Sequence, residues 1–419
     1  MIGSIYTGLS GLMAYSEGLD VVSNNVSNLN TPGFKGKDLQ FQDLFYQYES
    51  QENGQNNPDA SVGSGVEAKN TTTRFLQGEI RSTGNNLDIA IQGSGMLVLK
   101  QDQALYYSRA GELEFDKNGY LVSRGSDARL MFLDAQGSAS VAGGTTPGAT
   151  DGQGQLHDFN ISGFRTMAPK ATAEVKLVGN ISAAVVRKEI DNIEIYDASG
   201  NIHKLKVILV KKTADTPQWT IAVMDENGKE IAKDGEIHFN AAGMPEENFN
   251  QFSFSYQPEK GAASEIRLNF GDPNSVSGTT SRLIGENADI KLDKQDGYAL
   301  GSLIDIKYGR EGELTLVYSN GEKSKQASLA LAWANNLQSF QQVGGNRYQI
   351  RDSQDIYYAT ATQQGMGEIV EKSVELSNVE LMQEFTDMII IQRGYQASSQ
   401  VITTANEMMQ QAIDMVRKR

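Results

Sequence analysis

Both ends of the chain carry apolar residues at every seventh position, and this repeat constrains the fold more than any other feature. From residue 373 to the C-terminus the chain contains no proline and one glycine, Gly394. A seven-residue apolar repeat places its members along one seam of a supercoiled helix. The C-terminal column consists of Leu381, Met388, Tyr395, Ile402, Met409 and Val416. We therefore predict a long C-terminal helix, running from about residue 373, whose seam packs against another helix.

A matching repeat occupies the first thirty residues. Its column consists of Ile5, Leu12, Leu19 and Val26. Pro32 cannot continue a helix and Gly33 favours a turn, so the N-terminal helix should end at about this point. We predict that the two terminal helices pair in a coiled-coil-like manner and that both columns form the interface through which copies of the chain assemble. An amphipathic helix packed only on its own domain is the alternative.

The N-terminal helix contains several glycines, which weaken a helix. Gly3, Gly8, Gly11 and Gly18 each cost roughly 1 kcal/mol relative to alanine in a helix interior. Helices of this kind depend on packing for their stability. We therefore expect both terminal helices to be disordered in the free monomer and to fold only on assembly.

Between the helical ends the apolar pattern has a period of two, which is typical of strands. Hairpins are expected across residues 197–201 and 225–228, and a short helix with Trp333 inward is expected at 327–340. The pattern predicts a nested multidomain protein of mixed α and β class. Its predicted parts are 1–34 with 370–419 as a terminal helical domain, 35–70 with 361–369 as linkers, 71–152 with 289–360 as one β-rich domain, and 153–288 as a second β-rich domain inserted outermost.

Composition excludes several classes of function. The net charge is −15, with 52 acidic and 37 basic residues, which argues against nucleic-acid binding. The absence of cysteine excludes disulfides and thiolate metal sites. No apolar run reaches the length of a membrane span, so we expect no membrane insertion. The first basic residue is Lys35, so the basic start of a cleavable signal peptide is missing.

No motif for catalysis or cofactor binding is evident. The three histidines, His157, His203 and His238, are dispersed along the chain and lack the spacing of a metal site. Asp116 and Asn118 match the start of a calcium loop, but a hairpin turn explains them better. We predict no catalytic residue, no metal and no cofactor, and hence no enzyme. A surface hydrolase is the rival interpretation.

Specific stretches at both ends resemble a known family. Residues 24–35 read Asn-Asn-Val-Ser-Asn-Leu-Asn-Thr-Pro-Gly-Phe-Lys, and residues 392–397 read Gln-Arg-Gly-Tyr-Gln-Ala. These runs resemble the terminal signatures of the bacterial flagellar axial proteins, the family of rod, hook and hook-associated subunits. Residues 195–203 and 296–301 resemble hook subunits more than rod subunits. The N-terminal signature residues are Asn24, Asn25, Asn28, Thr31, Gly33 and Phe34.

The resemblance implies a subunit that polymerises into the curved hook, the flexible joint that passes motor torque to the filament. It implies an extracellular place in the flagellum, reached through the flagellar type III export apparatus without a cleavable signal peptide. The implied partners are further copies of the chain, the distal rod protein, the hook cap, the hook-length ruler and the hook-filament junction protein. A distal rod or hook-associated junction protein of the same family is the alternative.

One short motif concerns export. Phe41 and Phe45 form an F-x-x-x-F pair that resembles the motif by which rod and hook subunits engage the export gate. The same spacing also describes two rings packed on one face of a helix.

Overall fold

Two long helices lie at the ends of the chain and strands dominate between them, which confirms the predicted mixed α and β class. The computed structural model describes residues 2–50, 56–133, 156–213, 216–259, 261–273, 275, 278–282, 288–350 and 356–417. Helix α1 spans Ile2–Ser27 and helix α2 spans Leu381–Arg417.

The strands follow one another in short segments. The first twelve are β1 (Lys37–Asp43), β2 (Tyr46–Ser50), β3 (Asn56–Gly63), β4 (Val66–Thr73), β5 (Ile80–Ser82), β6 (Ile89–Gln92), β7 (Met96–Gln101), β8 (Ala104–Ser108), β9 (Leu113–Phe115), β10 (Leu121–Ser123), β11 (Arg129–Leu133) and β12 (Leu156–Asp158). The next ten are β13 (Thr166–Met167), β14 (Glu174–Asn180), β15 (Arg187–Tyr196), β16 (Ile202–Lys211), β17 (Gln218–Met224), β18 (Glu230–His238), β19 (Gln251–Tyr256), β20 (Ser264–Asn269), β21 (Thr280–Ser281) and β22 (Lys291–Gln295). The last are β23 (Gly301–Tyr308), β24 (Glu313–Tyr318), β25 (Lys323–Leu329), β26 (Leu331–Ala334), β27 (Phe340–Gly344), β28 (Arg347–Ile350), β29 (Ile356–Ala359), β30 (Glu368–Glu371) and β31 (Ser373–Glu375).

The chain forms two compact units. Unit 1 comprises Met1–Ser162, Ile306–Thr315 and Lys325–Arg419, and unit 2 comprises Gly163–Asp305 and Leu316–Ser324. Both terminal helices therefore belong to unit 1.

The core of unit 1 lies against a ladder of antiparallel strands in the order β27-β28-β8-β7-β11. Strand β26 pairs with both β7 and β29. Side chains from these strands form an apolar cluster that includes Met96, Val98, Tyr107, Phe340 and Tyr348.

Unit 2 contains a four-stranded meander and a five-stranded sheet. The meander runs β15-β16-β17-β18, and every second residue of β17, namely Trp219, Ile221 and Val223, is buried. The other sheet has β14 parallel to β20 and antiparallel to β22. Both predicted hairpins are present, because Tyr196 pairs with Ile202 and β17 pairs with β18. One shared cluster of buried apolar side chains belongs to both sheets.

The chain enters and leaves these sheets of unit 2 at neighbouring points. The backbones of Lys170 and Tyr298 exchange two hydrogen bonds of 3.0 Å. Asp296 accepts hydrogen bonds from the backbone amides of Ala173 and Glu174, at 2.8 and 2.9 Å. Residues 173–295 therefore leave and rejoin the rest of unit 2 at one point. We call the pairing of Lys170 with Tyr298 at this point the neck.

The helix expected at 327–340 is absent, and that prediction was wrong. The segment forms the end of β25, then β26, and a single 3-10 turn at Leu337–Ser339. Pairing with β7 and β29 overrides the local helix propensity of this alanine-rich stretch. Trp333 is half-buried rather than enclosed.

The expected linkers are also partly structured. β1 pairs with β4 from Lys37↔Thr73 to Asp43↔Val66, and β2 pairs with β3, so cross-strand pairing orders much of the expected linker at 35–70. Helix α2 begins at Leu381 rather than near residue 373, because β30 and β31 pair with β6 and β5. The expected boundary between residues 152 and 153 lies outside the described residues.

Candidate assembly surface

The contact between α1 and α2 is built on small residues. Gly8, Gly11 and Gly18 are buried on the face of α1 that meets α2. A Cβ on Gly8 would lie 2.8 Å from Cγ1 of Ile402, and one on Gly11 would lie 2.7 Å from Oγ of Ser398. Contacts this short would force neighbouring atoms to shift, and at Gly8 the carbonyl oxygen of Ser398 is also only 3.2 Å away, so glycine favours the close approach.

The second helix contributes a glycine of its own. A Cβ on Gly394 would lie 2.5 Å from Cζ of Tyr15. We call the contact at Gly8, Gly11, Gly18 and Gly394 the glycine seam. From the sequence we expect the glycines of α1 only to weaken the helix, whereas in the structure they also let the two helices approach closely. The sequence does contain a sign of this role, because at 100° per residue Gly8, Gly11 and Gly18 fall on one face of the helix.

The predicted heptad columns flank this seam. The column of α1 lies about a quarter-turn from the glycines at 100° per residue. Its members are half-buried: Ile5, Leu12, Leu19 and Val26. Three members of the α2 column are half-buried: Met388, Ile402 and Met409. The other three are exposed: Leu381, Tyr395 and Val416. Ile402 already contacts α1 within one copy, so the role of the columns between copies stays a prediction.

Large apolar side chains outside the seam remain exposed, and most of them lie outside the predicted heptad columns. The outer α1 stripe consists of Tyr6, Leu9 and Met13. The outer α2 stripe consists of Val401, Met408 and Met415, which are seven residues apart. The α2 entry patch consists of Met382, Phe385 and Ile389. Met13 and Met415 are 65% and 70% exposed. Contiguous apolar faces of this kind mark surfaces that bind other proteins.

A buried polar cluster joins the helix pair to the first strand. The carboxylate of Glu384, which is 2% exposed, accepts hydrogen bonds from Asn25 Nδ2 at 3.0 Å and from Arg74 Nη2. Asn25 also donates to the carbonyl of Lys37 at 2.8 Å and accepts from its amide at 3.0 Å. The signature residue Asn25 therefore fixes the start of β1 against both helices.

A second buried cluster centres on Glu375. Its carboxylate accepts from Lys35 Nζ at 2.5 Å, from Arg109 Nη1 at 3.1 Å and from the amide of Gly78 at 2.8 Å. Lys35 and Glu375 are fully buried. Burial lowers the pKa of Lys35 from its ordinary value, against the attraction of the Glu375 carboxylate. One carboxylate thus holds two buried cations, and removing it would leave both without an anion.

The remaining signature residues shape the turn after α1. Asn28 donates to the carbonyl of Asn24 at 2.9 Å and accepts from the hydroxyl of Thr31 at 3.1 Å. Gly33 has φ of +69°, and a Cβ there would lie 2.5 Å from the amide nitrogen of Ala110, so only glycine is tolerated. Phe34 is buried. Within one copy, the signature residues therefore fix the turn that connects α1 to β1.

The two phenylalanines of the expected export motif do not share a helical face. Phe41 lies in β1, with its ring 5.6 Å from that of Tyr15. Phe45 follows β1 and is 85% exposed. Packing on one helix, the alternative explanation of their spacing, is therefore wrong, and the export role stays a prediction.

The histidines contact different neighbours and form no common site among the described residues. His203 contacts Asp197 at 3.1 Å, and His238 stacks on Phe249 and contacts Glu236 at 2.9 Å. Within the described ranges, no group of three or more His, Asp or Glu side chains could hold a metal ion. Neither α1 nor α2 is long and apolar enough to cross a membrane.

Three families of flagellar proteins match separate parts of the chain. The family described as "Flagella basal body rod protein" matches residues 5–35, which contain most of α1. The family "Flagellar basal body protein FlaE D2 domain" matches residues 183–298, within unit 2. The family "Flagellar basal body rod FlgEFG protein C-terminal" matches residues 370–415, which contain most of α2. These are structural families rather than enzyme families.

The chain is also similar over its full length to flagellar hook proteins. The flagellar hook protein FlgE of Treponema pallidum is 30% identical over 471 residues, which cover 100% of both chains. The corresponding proteins of Borreliella burgdorferi and Escherichia coli are each 27% identical and cover 99% and 97% of this chain. They are themselves covered to 99% and 98%.

The crystal structure of the Helicobacter pylori flagellar hook protein FlgE2 shares the fold, with a TM-score of 0.52 and 14% identity. The alignment covers 72% of this chain and 100% of that chain. The full-length identity to the treponemal protein shows the family. The chain belongs to the flagellar hook proteins.

Proposed function

We propose that copies of this chain polymerise into the tubular flagellar hook, the flexible joint that passes torque from the motor to the filament. The paired terminal helices pack side by side with those of other copies and form the inner wall. The β-rich segments lie outside this wall, with the inserted segment 153–288 outermost. The function is mechanical, and the chain carries out no catalysis.

The exposed apolar faces of the helix pair carry this proposal. Helix α2 is 37 residues long, roughly 55 Å, yet only Glu384, Ile391 and Ala405 in it are buried. A second copy of the chain is the occupant that these faces require. The outer α1 stripe and the outer α2 stripe are different surfaces of one pair. Contacts between unlike surfaces repeat from copy to copy and generate helical polymers.

Export and the flagellar partners belong to the same proposal. The chain leaves the cell through the flagellar type III export apparatus without a cleaved signal, and exposed Phe45 together with Phe41 engages the export gate. Its neighbours in the flagellum are the distal rod protein, the hook cap, the hook-length ruler and the hook-filament junction protein.

Electron microscopy of the purified protein after salting out tests the proposal. We expect tubes of constant diameter from the natural chain. Met408→Asp should remain monomeric, because assembly would bury an unpaired carboxylate at a cost of several kcal/mol. The matched control is Gln410→Asp, which places the same charge on another exposed face of α2 and should still form tubes. Circular dichroism should show the same strand content in all three proteins. Amorphous precipitate from the natural chain, or tubes from Met408→Asp, would contradict the proposal.

A further inference from the structure

Unit 2 carries an acidic groove where three of its hairpins turn. The groove has a volume of about 910 Å³ and is lined by residues of the β15–β16, β17–β18 and β19–β20 connections. Its carboxylates are Asp197, Asp225, Glu226, Glu230 and Glu259. Lys204 and Lys229 are the lysines of its lining. The groove therefore has an excess of negative charge.

A mostly buried tyrosine lies at the groove. Tyr256 is 8% exposed and its ring lies 5.4 Å from that of His203. Burial, together with the charges of Asp225 and Glu226, raises the pKa of Tyr256 above its ordinary value, so the phenol stays neutral. A neutral oxygen beside carboxylates suits a cationic ligand.

The carboxylates are spread too widely for a metal ion. No three of the described acidic or histidine side chains are close enough to form a metal site. The volume of the groove instead suits several ammonium or guanidinium groups carried on one surface.

The same unit carries a basic surface of its own. Lys176 of β14 lies directly opposite Lys294 of β22, and Lys291 lies opposite Val178. We call Lys176, Lys291 and Lys294 the lysine patch. None of the three forms an ion pair with a described residue, and Asp293 is the carboxylate next to them in sequence. Like charges directly opposite each other in a sheet repel, so an external anionic surface would stabilise this arrangement.

The two surfaces lie at different ends of the five-stranded sheet. Tyr256 pairs with Ser264 at the groove end of the β19–β20 ladder, and Gln251 pairs with Asn269 at the other end. Lys176 lies beside Asn269. Five residues of strand separate the two levels, which is roughly 17 Å at about 3.4 Å per residue. The lysine patch of one copy therefore cannot occupy the groove of the same copy.

We propose that the acidic groove of unit 2 binds the lysine patch of a neighbouring copy of this chain. The contact runs head to tail, so each copy offers its groove to one neighbour and its patch to another. The proposal rests on the proposed function for bringing copies together. Exposed ion pairs are individually weak and are screened by salt. The contact can therefore break and form again while the helices hold the polymer.

Carbodiimide cross-linking of a mixed polymer tests this contact. Equal amounts of ¹⁴N-labelled and ¹⁵N-labelled chain are assembled together and treated with a zero-length carbodiimide, which joins carboxylates to adjacent amines. Mass spectrometry should find mixed-isotope cross-links that join Asp225, Glu226 or Glu259 to a residue of the lysine patch. We expect these cross-links to fall at least tenfold in 1 M NaCl. Tubes that cross-link elsewhere but never between these two surfaces would overturn the inference.

Charge reversal separates this contact from a structural role of the same residues. A groove variant carries Glu226→Lys and Glu259→Lys, because Asp225 accepts two backbone amides of its own turn. A patch variant carries Lys176→Glu, Lys291→Glu and Lys294→Glu. Each variant alone should lose the cross-link at least tenfold. The combined variant should regain it to within about twofold, with amines and carboxylates exchanged. Failure of the combined variant to recover would contradict the contact.

The contact can still be tested if no tubes form. In that case the proposed function fails, and the same cross-links are sought in a concentrated solution of the unassembled chain. Their presence would support the contact without the tube. Their absence in both states would overturn it.

Discussion

Unit 2 buries most of its large apolar side chains, whereas the terminal helix pair leaves many of its own exposed. In unit 2, Trp219, Phe239 and Phe270 have no exposed area and belong to one cluster shared by both sheets. In α2, by contrast, Met382 is 83% exposed and Val416 is 78% exposed. Unit 2 thus completes its core within one copy, whereas the helix pair leaves large apolar side chains exposed, which we propose other copies cover. A single chain can therefore contain a stable module and an assembly surface that differ in what buries their apolar side chains.

The largest effect is expected from removing much of unit 2. Residues 173–295 leave and re-enter at the neck formed by Lys170 and Tyr298, so two glycines can join Thr172 to Asp296. We expect tubes of this shortened chain to form with altered curvature, because the helices carry the primary contacts. Electron microscopy measures both outcomes. A shortened chain that is folded but never polymerises would show that unit 2 is essential to assembly.

The next largest effect is expected inside unit 1, at the buried carboxylate. Glu375→Gln leaves Lys35 and Arg109 buried without an anion, and loss of one partner of a buried ion pair costs about 3–5 kcal/mol. Urea unfolding followed by circular dichroism measures the loss. Exposed Glu371 is the matched control, and Glu371→Gln should change the free energy of unfolding by less than about 0.5 kcal/mol. Equal effects of the two substitutions would contradict the role of the cluster.

A smaller effect should follow from closing the glycine seam. Gly8→Ala places a methyl group 2.8 Å from Cγ1 of Ile402 and 3.2 Å from the carbonyl oxygen of Ser398, and overpacking of this kind costs about 1–3 kcal/mol. The concentration needed for polymerisation should rise accordingly. Gly3→Ala is the matched control, because a Cβ at Gly3 meets no atom within 4 Å. It should favour the helix by up to about 1 kcal/mol. A Gly8→Ala variant that assembled at a lower concentration than the natural chain would contradict this account of the seam.

The smallest effect of a single side chain concerns alkaline pH. Burial raises the pKa of Tyr107, Tyr308 and Tyr348, all in unit 1, above the ordinary value of 10.0. Above that pH the unfolded chain releases phenolic protons that the folded unit retains. The unfolded state then binds fewer protons, so the free energy of unfolding falls as pH rises, by up to about 1.4 kcal/mol per pH unit for each phenol.

Urea unfolding between pH 9 and pH 11 measures this slope. Tyr348→Phe is an informative variant, because the hydroxyl of Tyr348 has no hydrogen-bond partner among the described residues. The variant should be at least as stable as the natural chain at pH 8 and should lose less stability at pH 11. A slope that is unchanged in the variant would contradict this assignment.

The sequence predicted what local periodicity encodes and failed where pairing partners are distant. The heptad repeats predicted both helices, and turn residues predicted the hairpins at 197–201 and 225–228. The strand at Leu331–Ala334 was mistaken for a helix because its partners lie at Met96–Leu97 and Ile356–Ala359. The strand at Lys37–Asp43 was mistaken for a linker for the same reason.

The candidate surface was predicted only in part. The columns at Ile5 and Leu381 identified the correct helices, but the glycine seam and the outer stripes depend on which face each helix turns to the other. That choice follows from the close approach of Gly8 to Ile402, a contact across almost the whole chain. The cluster at Glu375 likewise joins Lys35, Gly78 and Arg109, whose proximity no local pattern encodes.

Hydrogen exchange of monomer and polymer, compared residue by residue, tests the central claim most directly. In the dilute monomer, residues 5–29 and 381–416 should exchange rapidly, because the seam alone covers one face of each helix. The strands β15–β18 of unit 2 should be protected equally in both states. In the polymer, protection of the two helices should rise to that of unit 2. Strong and unchanged protection of both helices in the dilute monomer would contradict the claim that other copies complete their packing.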